Sequence, residues 1–144
     1  MTDWRSIPGY PGYHASDDGQ IRGKRGSVLK PEINPRNHYQ YCSLQVNGKQ
    51  VLKSVHGLIA LAFHGPCPKG LEVRHLNGIK LDCRASNLEY GTRSQNMQDA
   101  VKHGMHVNTR KTHCKNGHEF DYITPTTGAR QCLTCKQDRK DARR

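Results

Sequence analysis

The sequence predicts an α+β fold assembled from small parts, and three observations support this prediction. Asp-Gly and Asn-Gly pairs at 18–19 and 47–48 lie between short apolar stretches, a pattern typical of β-hairpins. The apolar run His56–Phe63 indicates a short helix that ends before Gly65. Hydrophobic residues make up only 33% of the 144 residues, and such polar chains bury small cores that often need a metal as a staple.

The charge of the chain predicts a polyanionic partner. The formal net charge is +11 at pH 7. Basic residues outnumber acidic ones throughout, by 8 to 4 in residues 1–53, 6 to 4 in 54–104 and 9 to 4 in 105–144. Because the excess is spread along the whole length, we expect double-stranded DNA to be the partner and to run along the protein.

Hydropathy indicates neither a membrane span nor a secretion signal. No apolar run approaches the about 18 residues that a transmembrane helix needs, and no apolar core follows the first residues. We therefore expect no membrane partner and a reducing cytoplasm, where close cysteines indicate a metal before a disulfide. The isolated Cys42, Cys67 and Cys83 are expected to be plain small apolar side chains.

Residues 1–37 are predicted to form an N-terminal β-hairpin module that contacts DNA. The strands of the hairpin are expected at Tyr13–Ser16 and Gln20–Arg22, around the Asp-Gly turn. Basic residues follow the turn closely. The predicted DNA contacts of this module are Arg22, Lys24 and Arg25.

Residues 38–104 are predicted to form a second domain around a strand–loop–strand–helix segment. A hairpin over 38–55 and the short apolar helix precede this segment. Thr92 is a suitable N-cap for the last helix, and Gln95 completes a capping box. The predicted strands and helix of the segment are Leu71–His75, Asn87–Tyr90 and Arg93 to about His103.

Three polar residues of this segment form a set that phosphodiester hydrolysis needs. His75 ends the first strand, Asn87 begins the second, and Asn96 lies in the first turns of the helix. A neutral imidazole can take a proton from water near neutral pH. An amide oxygen is a hard ligand suited to Mg²⁺ or Mn²⁺, which would offset charge on the phosphate and on the leaving 3′ oxygen.

In their local context these residues resemble a known family. Val73–Gly78, Asn87–Thr92 and Arg93–Met97, together with the preceding Val55–Phe63, resemble the HNH nucleases of phages and group I introns. The stretch Trp4–Arg22 resembles a short module often placed before HNH domains. The resemblance covers roughly the first two thirds of the chain.

The resemblance implies a small ββα-metal nuclease core and a role for each residue. His75 would be the general base, Asn87 would brace the loop and help orient the His75 ring, and Asn96 would coordinate the metal. The metal would bridge the scissile phosphate and the leaving 3′ oxygen, giving a 5′-phosphate and a 3′-hydroxyl. Arg93, at the start of the helix, is a further predicted DNA contact.

One position departs from the family pattern. Many members carry Asp immediately before the catalytic His, where it binds the metal, and this chain has Arg74 there. Either Asn96 is the sole protein ligand, completed by water and DNA phosphate, or Asp82, Asp99 or Glu72 substitutes. We favour the first reading, in which Arg74 contacts the phosphate. The departure also leaves open a catalytically weak or inactive HNH-fold protein that binds DNA in a regulatory role.

Residues 105–144 contain a second motif that indicates a metal. Cys114 and His118 are separated by three residues, Cys132 and Cys135 by two, and thirteen residues lie between the pairs. This spacing matches a Zn²⁺ site with three Cys and one His, and His113 is a rival ligand with poorer spacing. Four protein ligands would close the site, so the zinc would be structural and would fold a tail with almost no apolar core.

The zinc motif is predicted to continue into a basic helix. Residues 105–113 are expected to be a polar linker, and Thr124–Gly128 is a turn that lets the chain double back. The helix, from Leu133, would complete a treble-clef-like zinc finger that grips the DNA backbone with little sequence specificity. Its predicted DNA contacts are Lys136, Arg139, Lys140, Arg143 and Arg144.

The sequence thus predicts a phage-encoded, metal-dependent DNA endonuclease in the cytoplasm of a bacterial host cell. One active site cuts one strand, so a monomer or weak dimer is expected to nick duplex DNA. HNH proteins act in homing or beside a phage packaging terminase, and the sequence does not separate these roles. An RNase ranks last because the aromatic stacking platforms usual for RNA modules are lacking.

Overall fold

The computed structural model describes residues 1–105, 111–126 and 129–143, which belong to two compact units, Met1–His103 and Gly104–Arg144. Small antiparallel sheets and short helices make up both units, so the predicted α+β class is confirmed. In chain order the elements are β1 Trp4–Ser6, β2 His14–Ser16, β3 Ile21–Arg22, β4 Glu32–Ile33, β5 Gln40–Val46, β6 Lys49–Ser54, α1 Val55–His64, β7 Glu72–His75, β8 Leu88–Gly91, α2 Arg93–Lys102, β9 Tyr122–Ile123, β10 Arg130–Gln131 and α3 Leu133–Asp141.

The N-terminal strands form a three-stranded meander in the order β1-β2-β3. The structure contains the predicted hairpin as β2–β3, and Gly19 takes φ +97° in its turn. A Cβ on Gly19 would lie only 3.0 Å from the backbone carbon of Cys83, so the turn abuts the chain that leads into β8. The same junction is closed by a hydrogen bond from Ala85 N to the carbonyl of Asp17, at 2.9 Å.

β5 and β6 form the second predicted hairpin, and they pair along the whole of β6. Asn47 and Gly48 have φ of +48° and +74°, the left-handed pair that a type I′ turn requires. The edge strand β4 pairs with β5 and was not predicted, because two residues carry no readable alternation. β6 leads directly into α1, which ends at Gly65, with φ +81°.

β7, β8 and α2 form the predicted strand–loop–strand–helix segment. Glu72 lies opposite Gly91, and His75 lies opposite Leu88 at the other end of the two-stranded sheet. Asn87 belongs to a 3₁₀ turn, Ala85–Asn87, that immediately precedes β8. The predicted strand therefore begins one residue later than expected, because the Asn87 side chain is used to close a loop.

The start of α2 has the predicted cap. Gln95 N donates to Thr92 Oγ1 at 3.2 Å, and Thr92 N donates to Gln95 Oε1 at 2.8 Å. This reciprocal pair satisfies two backbone donors at the helix N-terminus. No residue of α2 is fully buried, so the cap and contacts to the β7–β8 sheet position the helix.

One apolar core joins the meander, β5, α1 and the start of β8 within the first unit. Tyr13 ties the meander to β5 because its hydroxyl accepts a hydrogen bond from Gln45 N at 2.7 Å. Cys42 and Cys83 are buried as expected, whereas Cys67 is exposed, since the loop after α1 is not covered. The core residues are Ile7, Tyr13, Ala15, Ile21, Cys42, Leu44, Val55, Leu58, Ile59, Cys83, Ala85 and Leu88.

The second unit contains the short β9–β10 sheet and α3. Cys132 precedes α3 directly, and its sulfur accepts a hydrogen bond from Cys135 N at 3.4 Å. Predictions on linker residues 106–110, on Thr127 and Gly128 of the turn, and on Arg144 lie outside the described residues. Among the described parts of the chain, no helix has the length and apolar character to cross a membrane.

Candidate active site and metal centre

His75 lies at the carboxyl end of β7 with only 7% of its surface exposed. Its ring Nε2 is buried and makes no hydrogen bond within the described part of the chain, whereas Nδ1 is not enclosed in this way. Burial lowers the pKa of His75, the carboxylate of Asp82 raises this pKa by a smaller amount, and the ammonium of Lys80 lowers it. The free imidazole is therefore neutral near pH 7, which a general base requires.

Two further rings enclose His75. The Tyr39 ring lies 5.8 Å from the His75 ring, and the His56 ring lies 5.3 Å away in an edge-to-face arrangement. Tyr39 also contacts His56, with the ring centroids 4.8 Å apart. Burial, assisted by the nearby His75, lowers the pKa of His56 to about 4. The site thus contains two neutral imidazoles and one phenol packed against each other.

The loop between β7 and β8 is held closed by Asn87. Asn77 N donates to Asn87 Oδ1 at 3.0 Å, and Asn87 Nδ2 donates to Asn77 Oδ1 at 3.0 Å and to the Asp82 carbonyl at 2.9 Å. This is the geometry that a loop-bracing residue needs. None of these bonds reaches the His75 ring, so Asn87 acts on the loop and not directly on the imidazole.

The charged residues of this loop are arranged around His75. Arg84 donates to Asp82 through Nε at 2.8 Å and through Nη2 at 2.6 Å, which holds the pKa of Asp82 well below its ordinary value. Lys80 donates from Nζ to the Asn37 carbonyl at 3.0 Å and lies 4.9 Å from the centre of the Tyr39 ring. Lys80 therefore holds a cation beside the imidazole, where a phosphate would approach.

Arg74 lies on the opposite face of β7, toward α2. Its Nε is 3.0 Å from Asp99 Oδ2, and its Nη2 is 3.8 Å from Glu89 Oε2. Nε and Oδ2 are close enough for an ion pair but too poorly aligned for a hydrogen bond. Gly91 makes room for the side chain, since a Cβ there would lie 2.5 Å from Arg74 Cδ. The guanidinium is 15% exposed, and two carboxylates offset its charge.

Asn96 faces Glu72 across the groove between α2 and β7. Its Nδ2 donates to Glu72 Oε1 at 2.7 Å, which leaves the amide oxygen as the donor atom for a cation. Of the three acidic alternatives, Asp82 is bound by Arg84 and Asp99 is paired with Arg74. Glu72 is the acidic residue of the three whose carboxylate accepts a hydrogen bond from Asn96. The oxygens of Asn96 and Glu72 are the hard donors that Mg²⁺ or Mn²⁺ prefers, so these residues fit a divalent metal.

The basic residues predicted to contact DNA are mostly exposed. Arg22 is partly covered because its guanidinium stacks on the Trp4 ring at 3.8 Å, and Arg139 donates from Nε to the Cys135 carbonyl at 3.2 Å. The others within the described residues are exposed at the surface of their own unit. They are Lys24, Arg25, Arg93, Lys136, Lys140 and Arg143.

The second unit brings its four predicted metal ligands together. One ligand atom from each of Cys114, His118, Cys132 and Cys135 lies within 4.8 Å of all the others, so this cluster can hold a metal ion. Backbone bonds from Cys114 N to the His118 carbonyl, at 2.8 Å, and from Gly117 N to the Cys114 carbonyl, at 3.0 Å, form the knuckle. The pKa of Cys114 is lowered to about 7 because bonds to Asn116, His118, Cys135 and Cys132 outweigh its desolvation. His113, the rival ligand, is not part of the cluster and lies 3.7 Å from Glu119.

Several site residues carried no signal that sequence reasoning used. The sequence singles out none of Tyr39, His56 and Lys80 as a site residue. Tyr39 and His56 adjoin His75 only because the second hairpin and α1 pack beside β7. Lys80 had a weak signal, as a basic residue within the loop that follows His75.

Comparison with known proteins places this geometry in context. Residues 53–98 match the family profile described as HNH endonuclease. The chain is 33% identical to an uncharacterised HNH endonuclease of Acanthamoeba polyphaga mimivirus, over 84% of this chain and 35% of that protein. It is 33% identical to DNA endonuclease I-HmuI of Bacillus phage SP01, over 71% of this chain and 59% of that protein.

A solved structure is also similar. The structure described as "DNA binding and cleavage by the HNH homing endonuclease I-HmuI" superposes with a TM-score of 0.65 and 31% identity, over 72% of this chain and 60% of that one. The chain therefore spans between about a third and three fifths of the length of these relatives.

A histidine at the end of the first strand of a strand–loop–strand–helix segment, with an asparagine on the helix, is the arrangement of the ββα-metal nuclease fold, and the superposition on the I-HmuI structure agrees with it. Residues 53–98 lie within this arrangement and match the family profile. The chain therefore contains a segment of the HNH endonuclease family, residues 53–98, and resembles HNH endonucleases beyond it.

Proposed function

We propose that this protein is a metal-dependent endonuclease that hydrolyses phosphodiester bonds in duplex DNA. The observation that carries the proposal is the His75 imidazole, which burial keeps neutral at the end of β7 within the segment that matches the family. The net charge of +11 supports a polyanionic substrate.

His75 is the general base of this mechanism. Its Nδ1 takes a proton from the attacking water, the resulting hydroxide attacks phosphorus, and the 3′ oxygen leaves and takes a proton from solvent. Asn87 keeps the loop closed, so that His75, Lys80 and the following backbone retain their positions when DNA binds. Lys80 contacts the phosphate from the His75 side, and Arg74 contacts it from the α2 side.

Asn96 and Glu72 would hold the catalytic cation through their oxygens. When bound, Mg²⁺ or Mn²⁺ there supplies positive charge to the phosphate and to the leaving 3′ oxygen. Arg74 lies two residues from Glu72 on the same strand, and its pairing with Asp99 and Glu89 limits its repulsion of the cation. Few protein donors and a neighbouring guanidinium predict weak binding of Mg²⁺ to the free protein, with DNA phosphate completing the site.

The Cys114, His118, Cys132 and Cys135 cluster holds a structural Zn²⁺ in this proposal. Four protein ligands leave no open position for substrate, so the ion organises the second unit and takes no part in catalysis. The basic residues of α3 then add affinity through phosphate contacts. One active site in a monomer or weak dimer predicts nicking in the cytoplasm of a bacterial host cell.

The biological role follows one of two patterns. A phage-encoded homing enzyme would recognise a long and tolerant target site. A packaging-associated enzyme would show weak specificity alone and altered activity with a terminase. Cleavage mapping with and without a terminase partner separates these roles.

A supercoiled-plasmid assay tests the proposal. Zinc-loaded full-length protein is incubated with plasmid in Mg²⁺, in Mn²⁺ and in EDTA, beside His75→Ala and Asn96→Ala. We expect metal-dependent nicked circles that His75→Ala reduces by at least about 100-fold. His14→Ala, on β2, is the matched control and should cut normally. Equal cutting by His75→Ala would overturn the proposed mechanism.

Arg74 favours a second candidate function, a DNA-binding protein of this fold with weak or no turnover. A cation stands where many family members bind the metal, so the site could bind DNA without cutting it. A mobility shift without nicking in either metal would establish this alternative. Arg74→Asp, which restores the usual ligand, would then be expected to gain metal-dependent cleavage.

A further inference from the structure

The general base needs a group that selects its tautomer. The Asn87 side chain bonds Asn77 and Asp82 and does not reach the His75 ring. If Nδ1 of His75 takes the proton from water, Nε2 has to carry the ring hydrogen. Nε2 is buried, and within the described residues it has no acceptor.

A second such nitrogen lies beside it. Nδ1 of His56 is also buried without a hydrogen-bond partner in the described part of the chain. An unpaired buried polar atom is destabilising, and an apolar side chain in place of His56 would avoid this cost. The other two such atoms of the described chain, Arg74 Nε and Asp99 Oδ2, lie 3.0 Å from each other. The two imidazole nitrogens also lie on neighbouring side chains, because the centroids of the His56 and His75 rings are 5.3 Å apart.

The separation of the rings permits a bond between them. With the centroids 5.3 Å apart and the planes at 69°, rotation of the rings brings one nitrogen of each to about 3 Å. Burial keeps the pKa of His56 at about 4, so its ring stays neutral and retains a bare nitrogen. Tyr39 packs against both rings, at 4.8 and 5.8 Å, and restricts their other orientations.

We propose that His56 is a positioning residue whose Nδ1 accepts a hydrogen bond from Nε2–H of His75, which leaves Nδ1 of His75 as the basic nitrogen. This inference rests on the nuclease function proposed above. When His75 takes a proton from water, the bond between the rings becomes charge-assisted and stabilises the imidazolium. His56 remains neutral and transfers no proton.

The tautomer can be observed directly, without an activity assay. Two-bond ¹H–¹⁵N spectra of the zinc-loaded full-length protein, labelled at histidine, report which ring nitrogen of His75 carries hydrogen. We expect Nε2–H in the unmodified protein and a mixture of tautomers in His56→Phe, which keeps a flat ring and removes the acceptor. A predominant Nδ1–H form in the unmodified protein would overturn the proposal.

Kinetics supply the second test. His56→Phe should lower kcat by about 10- to 100-fold with KM within about threefold, because substrate binding is unaffected. His56→Asn, which keeps an acceptor near the position of Nδ1, should recover much of that loss. His64→Phe is the matched control, since it alters a histidine of the same helix whose Nε2 already contacts the Ala85 carbonyl at 3.0 Å.

Each outcome separates the two proposals. If His56→Phe is folded and retains both kcat and the His75 tautomer, His56 is a structural residue and the inference fails. If His75→Ala still cuts DNA, the nuclease mechanism fails, whatever the spectra show for His56. If His56→Phe does not fold, the spectrum of the unmodified protein and the activity of His56→Asn decide the question.

Discussion

The two units of this protein are held together in different ways. In the first unit, Ile21, Leu44 and Ile59 are at most 1% exposed and lie in one continuous apolar core. In the second unit, among residues 111–126 and 129–143, only Cys132 and Cys135 are buried. Apolar burial therefore folds the first unit, whereas the second depends on the chemistry of its Cys/His cluster.

Because of this difference, the proposed needs for structural Zn²⁺ and for catalytic Mg²⁺ can be tested separately. His56, His75, Asn87 and Asn96 belong to the unit that has the continuous apolar core. We expect removal of zinc to weaken DNA binding while the catalytic residues keep their arrangement, and removal of Mg²⁺ to stop cleavage without unfolding either unit. Four experiments test the comparison, from the largest expected effect to the smallest.

The largest effect should follow loss of the zinc ligands. Structural Zn²⁺ contributes about 10–16 kcal/mol in zinc-finger peptides, far more than the small sheet and helix of the second unit can supply. Cys135→Ser should therefore unfold the described parts of the second unit, residues 111–126 and 129–143, and leave the first unit folded, which ¹H–¹⁵N correlation spectra would show. Cys67→Ser, at an exposed cysteine of the first unit, is the control and should change neither unit. Persistence of dispersed second-unit signals would contradict the comparison.

A cavity in the apolar core should destabilise the first unit and leave the second unit folded. Ile59 has 0% exposure, so Ile59→Ala should lower the free energy of unfolding of the first unit by about 2–5 kcal/mol. Urea denaturation monitors the change. Leu52→Ala, at a position 60% exposed on β6, should stay within about 0.5 kcal/mol. If Ile59→Ala also lowered the urea concentration at which the zinc-loaded second unit unfolds, the two units would not be independent.

Acid should weaken the first unit through His56. Its pKa is about 4 in the folded protein, below the ordinary value of 6.5, so the unfolded chain binds the proton more readily. Above pH 6.5, His56 is neutral in both states and the free energy of unfolding is at its full value. As the pH falls from 6.5 toward 4, this free energy decreases by up to about 3 kcal/mol. Urea midpoints across this range measure the loss. In His56→Phe, the urea midpoint should depend less steeply on pH. If it depended on pH as steeply as in the unmodified protein, His56 would not be the source of the acid sensitivity.

The smallest effect concerns the cap of α2. Thr92→Ala removes the side-chain acceptor of the capping box and should cost about 1 kcal/mol. Hydrogen exchange of the first amides of α2 should rise accordingly. Ser94→Ala, at an exposed position in the first turn of the same helix, provides the comparison and should change stability by only a few tenths of that amount.

Local features were predictable from the sequence because their causes are local. The Asn-Gly turn, the Thr92 cap and the Cys/His spacing each depend on neighbouring residues, and the structure contains all three. Tyr39 and Lys80 were missed because contacts across the fold place them. Lys80 reaches the Asn37 carbonyl across 43 residues, and no periodicity encodes such a contact.

The catalytic segment shows the same limit. Strand and helix patterns placed His75 and Asn96 correctly on β7 and α2. They could not show that Arg74 pairs with Asp99, or that Asn96 bonds Glu72, because these contacts depend on how α2 crosses the sheet. The position of His56 likewise follows from tertiary packing of α1 against β7.

The close approach at Gly19 has a consequence for how such proteins can recombine. Any side chain at this position would meet the backbone of Cys83 and Arg84, at 3.0 and 3.2 Å, and would displace the chain that leads to Asn87. A meander taken from a relative would therefore need a glycine at the same place. We expect functional chimaeras to take Gly19, Cys83 and Arg84 from the same parent protein.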